Sequence, residues 1–215
     1  MEIGSEFEWD SELREKKNKN IKFPEVEDDV LTFSGRTSIE LILNNLQKAK
    51  MAMLPSYCCE SILQPFRKAG IEICFYEVNY DGKLTINLDI LDEANILFWC
   101  NYFGYNIEMP NIFEFKQRGG IVIEDITHSF FSEHSYHKQS DFLVASIRKW
   151  LPVLCGGYCA RIKGKLKTKP TSYPSKNFLE EKKNAMLLKS AYLTDEDEKK
   201  KLIFMLSLIH IYKLK

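Results

Sequence analysis

A chain of 215 residues with 45% hydrophobic content is long enough to bury a sizeable core. Its 30 basic and 30 acidic side chains cancel, and basic residues concentrate only at 163–169 and 199–201, which we interpret as solvated faces. We therefore expect no nucleic-acid partner. The first 20 residues lack the apolar stretch of a signal peptide, and the longest apolar run, 202–212, is too short to span a bilayer, so we also expect no membrane partner.

The cysteines and histidines indicate neither a disulfide framework nor a metal site. The six cysteines lack the paired spacing of a metal site, and four of them lie in or beside apolar runs. This pattern is typical of reduced, mostly buried thiols in a cytoplasmic protein. His128, His134 and His137 have no carboxylate or cysteine at ligand spacing, which predicts loop positions for them rather than zinc binding.

The chain alternates between strand-type and helix-type segments after a polar start. Residues 1–30 predict a peripheral N-terminal segment, in which Phe7 and Trp9 are the expected docking points. An extended segment at about residue 31 then leads into a helix that starts near Thr37. The predicted strands that follow are 51–54, 71–78, 96–100, 120–124 and 142–145. The further predicted helices are 61–69, 88–94, 112–117, 177–193 and 195–208.

This alternation predicts an α/β fold. Strands that are apolar throughout indicate a mostly parallel sheet covered by helices on both faces. Residues 158–162, which follow the pair Gly156-Gly157, are expected to return as an antiparallel strand. The lysine-rich residues 163–176 contain two prolines and predict an exposed loop.

A helix start at Gly35-Arg36-Thr37-Ser38 is the first candidate site. Free backbone N–H groups, hydroxyls and the helix dipole together suit an anion such as a phosphate. The alternative is a structural one, because Thr37 and Glu40 have the spacing of a capping box. Position alone leaves both interpretations open.

Two polar side chains follow apolar strands and are expected at the same edge of the sheet. Asp125 ends the segment GGIVIED, and Lys149 follows the strand 142–145 shortly before the glycine pair. Ligands bind outside the carboxyl ends of such strands. A lysine held against Trp150, Leu151 and Val153 would be partly desolvated, which favours the neutral amine that forms a Schiff base with a carbonyl. The structural alternatives are a cap or loop acid for Asp125 and a surface lysine for Lys149.

A phosphate cradle, a strand-end aspartate and a strand-end lysine are the protein parts that a pyridoxal phosphate (PLP) enzyme needs. Their order resembles the DegT/StrS-type (DegT/DnrJ family) aminotransferases, which act on nucleotide-linked keto sugars and have the aspartate-aminotransferase-like (fold type I) PLP fold. The resemblance covers about residues 3–200. It is carried by SGRTSIEL, LPSYCCESILQPFRKAGIEICFYEVN, CNYFGYNIEM, IVIEDITHSF and SDFLVASIRKWLPVLCGGY.

The resemblance implies a role for each matching residue. The phosphate-binding residues would be Gly35, Thr37, Ser38 and Ser146. Asp125 would pair with the pyridine nitrogen of the cofactor, and His128 would lie near its ring. Lys149 would form the Schiff base and then serve as the acid and base of the transfer.

The resemblance also implies the wider setting of the reaction. Glutamate would donate the amino group, a nucleotide-linked keto sugar would accept it, and the enzyme would serve sugar or polysaccharide biosynthesis as a homodimer. Residues 31–193 would form the PLP-binding large domain, and residues 194–215 would begin the connection to a smaller C-terminal domain.

Three departures from the family pattern accompany this resemblance. Cys59 stands where many members carry an aromatic residue that stacks on the cofactor ring. Ser146 and Lys149 are separated by two residues, whereas many members space the serine and lysine more widely. Family members continue into the smaller C-terminal domain, and residues 207–215 leave the family pattern, so we expect a C-terminally truncated sequence.

Other functional classes fit the sequence less well. The motif Ser146-x-x-Lys149 also occurs in penicillin-binding proteins, but the companion motifs S-D-N and K-T-G are missing. A nicotinamide-binding domain would need G-x-G-x-x-G after its first strand, and that motif is missing as well. The serious alternative is a non-catalytic PLP-fold domain with a binding or dimerising role.

Overall fold

The structure is a computed structural model, and it describes residues 7–9, 22–46, 49–81, 84–88, 91–104, 109–133, 136–170 and 174–213. The chain divides into two compact units. The sheet unit comprises Lys22–Ser146 and Gly157–Pro170. The helical unit contains Ile147–Gly156 together with the described parts of Met1–Ile21 and Thr171–Lys215.

The sheet unit is built on one sheet, in which eight strands lie within the described residues. They are β1 (Asp28–Thr32), β2 (Met51–Pro55), β3 (Glu72–Tyr80), β4 (Leu84–Asn87), β5 (Ile96–Cys100), β6 (Ile121–Asp125), β7 (Phe142–Ala145) and β8 (Gly157–Arg161). Their order across the sheet is β1-β8-β7-β6-β5-β2-β3-β4. The five central strands, β7, β6, β5, β2 and β3, run parallel to one another. The outer strands β4, β8 and β1 are antiparallel to their neighbours. The mostly parallel sheet and the antiparallel return after Gly157 are both confirmed.

Helices cover both faces of this sheet, as predicted. The sheet unit contains α1 (Gly35–Asn45), α2 (Glu60–Lys68) and α3 (Phe113–Gln117). Alternate residues of β5 separate the two cores: Ile96 and Phe98 pack with α1 and α2, whereas Leu97 and Trp99 pack with α3. All four side chains are fully buried, because a central strand with helices on both sides has no solvent face.

Two elements differ from the sequence prediction. The strand β4, which pairs with β3 as a hairpin, was not predicted. The helix predicted at 88–94 is wrong, because only a single 3-10 turn at Leu91–Glu93 forms there, and residues 89–90 lie outside the described residues. Three residues are too few for the apolar spacing that the helix prediction assumed.

The helical unit contains α4 (Lys176–Asp195) and α5 (Glu198–Lys213), close to the two predicted helices. They pack through Ala185, Tyr192, Phe204 and Ile211, all of which are buried. The backbone N–H of Trp9 donates to Ser190 Oγ at 2.9 Å, and that hydroxyl donates back to the Trp9 carbonyl at 3.0 Å. Trp9 therefore docks as predicted, with α4 as its partner, whereas Phe7, the other expected docking point, is 38% exposed. Among the described helices, none combines the length and apolar character needed to cross a membrane.

Candidate functional site at the carboxyl edge of the sheet

The parallel strands β5, β6 and β7 end at the same edge of the sheet unit. In the β5–β6–β7 register, Cys100 pairs with Asp125, and Asp125 pairs with Val144. Asp125 is therefore level with the end of β7, and Ser146 follows that strand directly. We call this edge, together with the start of α1, the carboxyl edge. The register thus places Asp125 and Ser146 at one edge of the sheet, and the predicted placement of Lys149 at this edge stays a prediction.

The start of α1 is held by a capping box that differs from the one predicted. Ser34 is the N-cap: its backbone is extended (φ −160°, ψ 166°), and its Oγ accepts a hydrogen bond from the Thr37 N–H at 3.3 Å. The Thr37 hydroxyl in turn accepts from the Ser34 N–H at 2.7 Å. The expected Thr37–Glu40 box is wrong, because the helix begins at Gly35 and Thr37 already lies in its first turn. The first four backbone N–H groups of a helix have no partner within the helix. The box provides acceptors for those of Ser34 and Thr37, which leaves the N–H groups of Gly35 and Arg36 to bind a ligand.

Gly35 lies against Ser146. A Cβ at Gly35 would stand 3.4 Å from Ser146 Cβ and 3.7 Å from the Ala145 carbonyl oxygen. A methyl group at this position would already be in van der Waals contact with these atoms, so the first turn of α1 lies close to the serine that follows β7. Backbone amides from one element and a hydroxyl from another therefore lie near each other, an arrangement that suits an anion such as phosphate.

Ser38 supports this helix start from inside the protein. Its side chain is fully buried, and its Oγ lies 2.6 Å from Thr32 Oγ1 and 3.2 Å from the Ser34 carbonyl oxygen, to which it donates. A Cβ at Gly157 would overlap the Ser34 backbone and the Thr32 hydroxyl, so only glycine lets β8 pass this close. The Ser38 hydroxyl is therefore turned into the core, and the predicted part of Ser38 in holding a phosphate stays a prediction.

A chain of hydrogen bonds joins Asp125 to Ser146. Asp125 Oδ1 accepts from the Thr127 N–H at 2.8 Å, and Thr127 Oγ1 accepts from the Ser146 N–H at 3.0 Å. Thr127 is only 5% exposed, so these bonds are shielded from water. Sequence reasoning missed this residue, although a threonine two residues after an aspartate is the spacing of an Asx turn. Thr127 thus fixes the spacing between the acid and the serine.

His128 is oriented by the turn that follows β5. Its Nδ1 accepts from the Phe103 N–H at 3.0 Å, so in the neutral ring the proton is on Nε2. The two rings stack with centroids 5.7 Å apart and an interplanar angle of 11°. Phe103 and Gly104 both have positive φ, of 58° and 76°, and a Cβ at Gly104 would stand 3.0 Å from the His128 carbonyl oxygen. The exposed His128 ring is therefore held in one orientation by this strained turn.

Two further groups border Asp125. Burial, and secondly the negative charge of Asp125, raise the pKa of the Cys100 thiol well above its usual value, so this thiol stays protonated. Asn101 is 2% exposed, and its N–H donates to the Asp125 carbonyl at 3.1 Å. Its side-chain Oδ1 is buried without a hydrogen-bond partner among the described residues. A buried amide oxygen of this kind marks a place where a donor group is wanted.

Lys149 belongs to the helical unit and ends the 3-10 turn Ile147–Lys149, three residues after Ser146. Its side chain is exposed, and Trp150 beside it is 42% exposed. The predicted desolvation of Lys149 by its apolar neighbours is therefore wrong in this structure.

The cysteines near this edge are free thiols. Cys59, at the position of the missing aromatic residue, is exposed at the start of α2 and lies 2.9 Å (Sγ to Oγ) from Ser61. Burial raises the pKa of Cys58 to about 11, which keeps it protonated near neutral pH. Within the described residues, no group of three or more histidine, cysteine or acidic side chains is placed to hold a metal ion.

No protein-family model matches the sequence, and no curated protein matches it either. Solved structures do resemble the fold. NtdA from Bacillus subtilis with bound cofactor PMP has a TM-score of 0.54 and 18% identity, over 65% of this chain and 34% of that one. The corresponding values for 3-amino-5-hydroxybenzoic acid synthase are 0.53, 16%, 65% and 39%. A protein of Bacillus cereus provisionally named a PLP-dependent aminotransferase gives 0.50, 17%, 63% and 41%.

These matches span about two thirds of this chain and about two fifths of the solved chains. At such low identity they establish the fold alone. Together with the strand order and the helices on both faces, they confirm the predicted fold class: the chain has the mostly parallel α/β fold of PLP-dependent aminotransferases.

Proposed function

We propose that this chain is a PLP-dependent aminotransferase of the DegT/StrS type, with the cofactor bound at the carboxyl edge. The observation that carries the proposal is the close approach of Gly35 to Ser146, which is tied through Thr127 to Asp125. It brings an anion-binding helix start, a hydroxyl and a carboxylate to one edge of a PLP-type fold. The side-chain oxygen of Asn101, buried without a partner among the described residues, also fits a site that receives a ligand.

Different residues of the carboxyl edge would bind different parts of the cofactor. The Gly35 and Arg36 amides and the Ser146 hydroxyl would bind the phosphate, while Thr37 closes the capping box around them. The Asp125 carboxylate can accept further hydrogen bonds besides the one from the Thr127 N–H. It could therefore accept the hydrogen bond of a protonated pyridine nitrogen. His128, fixed by Phe103, would border the ring from the turn after β5.

PLP, when bound, supplies the electron sink that amino-group transfer requires. The chain itself must supply the covalent attachment and the proton transfer, and we assign both to Lys149 Nζ. A long flexible side chain three residues after Ser146 can serve both tasks in turn. The Asp125 carboxylate stabilises the positive charge on the ring nitrogen, so an amide in its place would remove the charge while keeping the shape.

The finer assignments rest on the resemblance of the sequence motifs. We propose glutamate as the amino donor, a nucleotide-linked keto sugar as the acceptor, and a cytoplasmic homodimer acting in sugar or polysaccharide biosynthesis. Residues 31–193 would be the cofactor-binding domain, and residues 194–215 would lead towards a smaller domain. Because this chain spans about two fifths of the solved chains it resembles, all of these statements concern the whole enzyme.

One observation favours the alternative of a non-catalytic PLP-fold domain. Lys149 is exposed rather than desolvated, and burial is one of the ways in which a lysine becomes a better nucleophile. A domain that keeps the fold without forming the covalent link would then act through binding or dimerisation.

Trapping the cofactor on the chain separates the two functions. The full chain is incubated with PLP, reduced with borohydride and digested, and the modified peptide is identified by mass spectrometry. We expect modification at Lys149, loss of the visible absorbance band in Lys149→Ala, and a normal band in the control Lys165→Ala, which changes an exposed loop lysine. A folded chain that forms no covalent adduct, or forms it elsewhere, would support the non-catalytic function.

A further inference from the structure

The opposite edge of the sheet carries a second concave site that the proposed function does not use. A cleft with a volume of about 460 Å³ lies where β6 and β7 begin and β8 ends, beside the end of α1. All of its lining residues belong to the sheet unit. The volume is within the range of small-molecule sites in proteins. We call it the amino-edge cleft.

The described charged residues that line this cleft are predominantly basic. Its described lining contains five basic residues, Lys116, Lys138, Arg161, Lys163 and Lys167. Asp141 is the single acidic residue among the described residues that line it. Asp141 Oδ2 already accepts from the Val122 N–H at 2.8 Å and forms an ion pair with Lys116. Four cations therefore face the cleft without a matching carboxylate in its lining, on a chain whose net charge is zero.

Arg161 is fixed in position rather than mobile. Its Nε donates to the Lys163 carbonyl and its Nη1 to the Lys165 carbonyl, both at 2.9 Å. The guanidinium carbon also lies 5.5 Å from the centroid of the Phe142 ring. Two of the five N–H donors are used by these carbonyls, and a planar fork held in this way suits an oxygen-rich anion.

The loop that carries the other cations is also anchored. Glu27 accepts from the Gly164 N–H and Asp28 from the Leu166 N–H, each at 2.8 Å. Asn45 Oδ1 accepts from the backbone N–H groups of residues 167 and 168. Leu166 is buried, so its side chain fixes the middle of the loop in the core. A lysine-rich loop that was expected to be simply solvated is thus preorganised around the cleft.

We infer that the amino-edge cleft binds the diphosphate group of a small phosphorylated molecule. The four cations without a matching carboxylate in the lining exceed the charge of one phosphate group and match the charge of two. The acidic residues Glu27 and Asp28, at the start of β1, bind this loop and interrupt the basic surface, which limits the site to a compact anion rather than a nucleic acid. The inference goes beyond the proposed function and needs no cofactor at the carboxyl edge.

The test is a calorimetric titration of the full chain with inorganic pyrophosphate at low ionic strength, with orthophosphate and citrate as comparison anions. The variant Lys138→Gln/Lys163→Gln removes two exposed cations that line the cleft. The control Lys176→Gln/Lys199→Gln removes the same charge at two exposed positions outside the lining. All four side chains are exposed, so folding is not at risk, and thermal melting verifies this for both variants.

We expect saturable binding of one pyrophosphate per chain, weakened about tenfold in the cleft variant and less than about twofold in the control. Orthophosphate should bind more weakly, because it engages fewer cations. Three outcomes would overturn the inference: no saturable binding, an equal loss in the control, or citrate binding as tightly as pyrophosphate.

Discussion

The two edges of the sheet differ in how they could recognise a ligand. At the carboxyl edge, Gly35, Ser146, Thr127 and Asp125 are joined by short contacts in which position matters more than net charge. At the amino-edge cleft, five cations surround one carboxylate, and charge dominates. Hydrogen bonds to buried groups depend on tenths of an ångström, whereas Coulomb attraction between exposed groups falls off slowly and is screened by salt. Single atoms should therefore matter at the first edge and summed charge at the second.

Gly157→Ala is expected to have the largest effect. The added methyl overlaps the Ser34 backbone and the Thr32 hydroxyl, which cannot move without breaking the capping box of α1. We expect a loss of about 3 kcal/mol or more in the free energy of unfolding, measured by urea denaturation. Gly35→Ala is the matched control, because its methyl meets only ordinary contacts at 3.4 Å. Equal stability of the two variants would contradict the close packing at Gly157.

Asp125→Asn tests charge at the carboxyl edge while preserving shape. The amide oxygen can still accept from the Thr127 N–H, so the melting temperature should stay near that of the parent. Under the proposed function, single-turnover amino transfer from glutamate to added PLP should fall about 100-fold, because a neutral amide cannot hold the ring-nitrogen proton by charge. Near-normal transfer in a folded variant would remove Asp125 from the site.

Thr127→Val isolates the hydrogen bond that links the two sides of the carboxyl edge. The substitution is nearly isosteric, but it leaves the Ser146 N–H without its acceptor in a buried place. We expect a loss of about 2 kcal/mol in unfolding free energy and weaker cofactor binding. Thr85→Val, at an exposed position in β4, provides the control and should change stability little. A Thr127→Val variant as stable as this control would mean that the link carries no energy.

Asp28→Asn tests whether the anchoring of the lysine-rich loop contributes to anion binding at the amino-edge cleft, and it should have the smallest effect. The Leu166 N–H, ahead of the ion pair with Lys169, lowers the pKa of Asp28 below its usual value, so the carboxylate anchors the loop at neutral pH. A lowered pKa means that this anchoring is present above the ordinary carboxyl range and is lost as the pH falls through the folded-state pKa. The neutral variant should therefore bind pyrophosphate about threefold more weakly at pH 7, through a looser loop.

Pure electrostatics makes the opposite prediction for Asp28→Asn. Removing a negative charge near the cleft should strengthen anion binding if charge alone decides the affinity. Tighter binding of pyrophosphate by this variant, measured by the same titration, would therefore show that the loop anchor does not matter. The two edges would then differ only in charge and not in preorganisation.

The sequence by itself determined the framework of parallel strands and the edge at which Asp125 lies. Apolar runs such as 96–100 and 142–145 are buried on both faces, so their composition alone indicates parallel strands. The residues that follow such strands must emerge at one edge. Their composition could not reveal β4, because a short edge hairpin depends on pairing with β3 rather than on apolar content.

Tertiary structure decided the details that turn this framework into sites. Ser34 rather than Thr37 caps α1, because the extended backbone that a cap requires depends on how β1 leads into the helix. Burial of Ser38 and exposure of Lys149 follow from packing that no local pattern encodes. The amino-edge cleft gathers cations from segments between residues 116 and 167, which meet only because β6, β7 and β8 are neighbours in the sheet. Long-range strand pairing is the physical step that sequence patterns leave open.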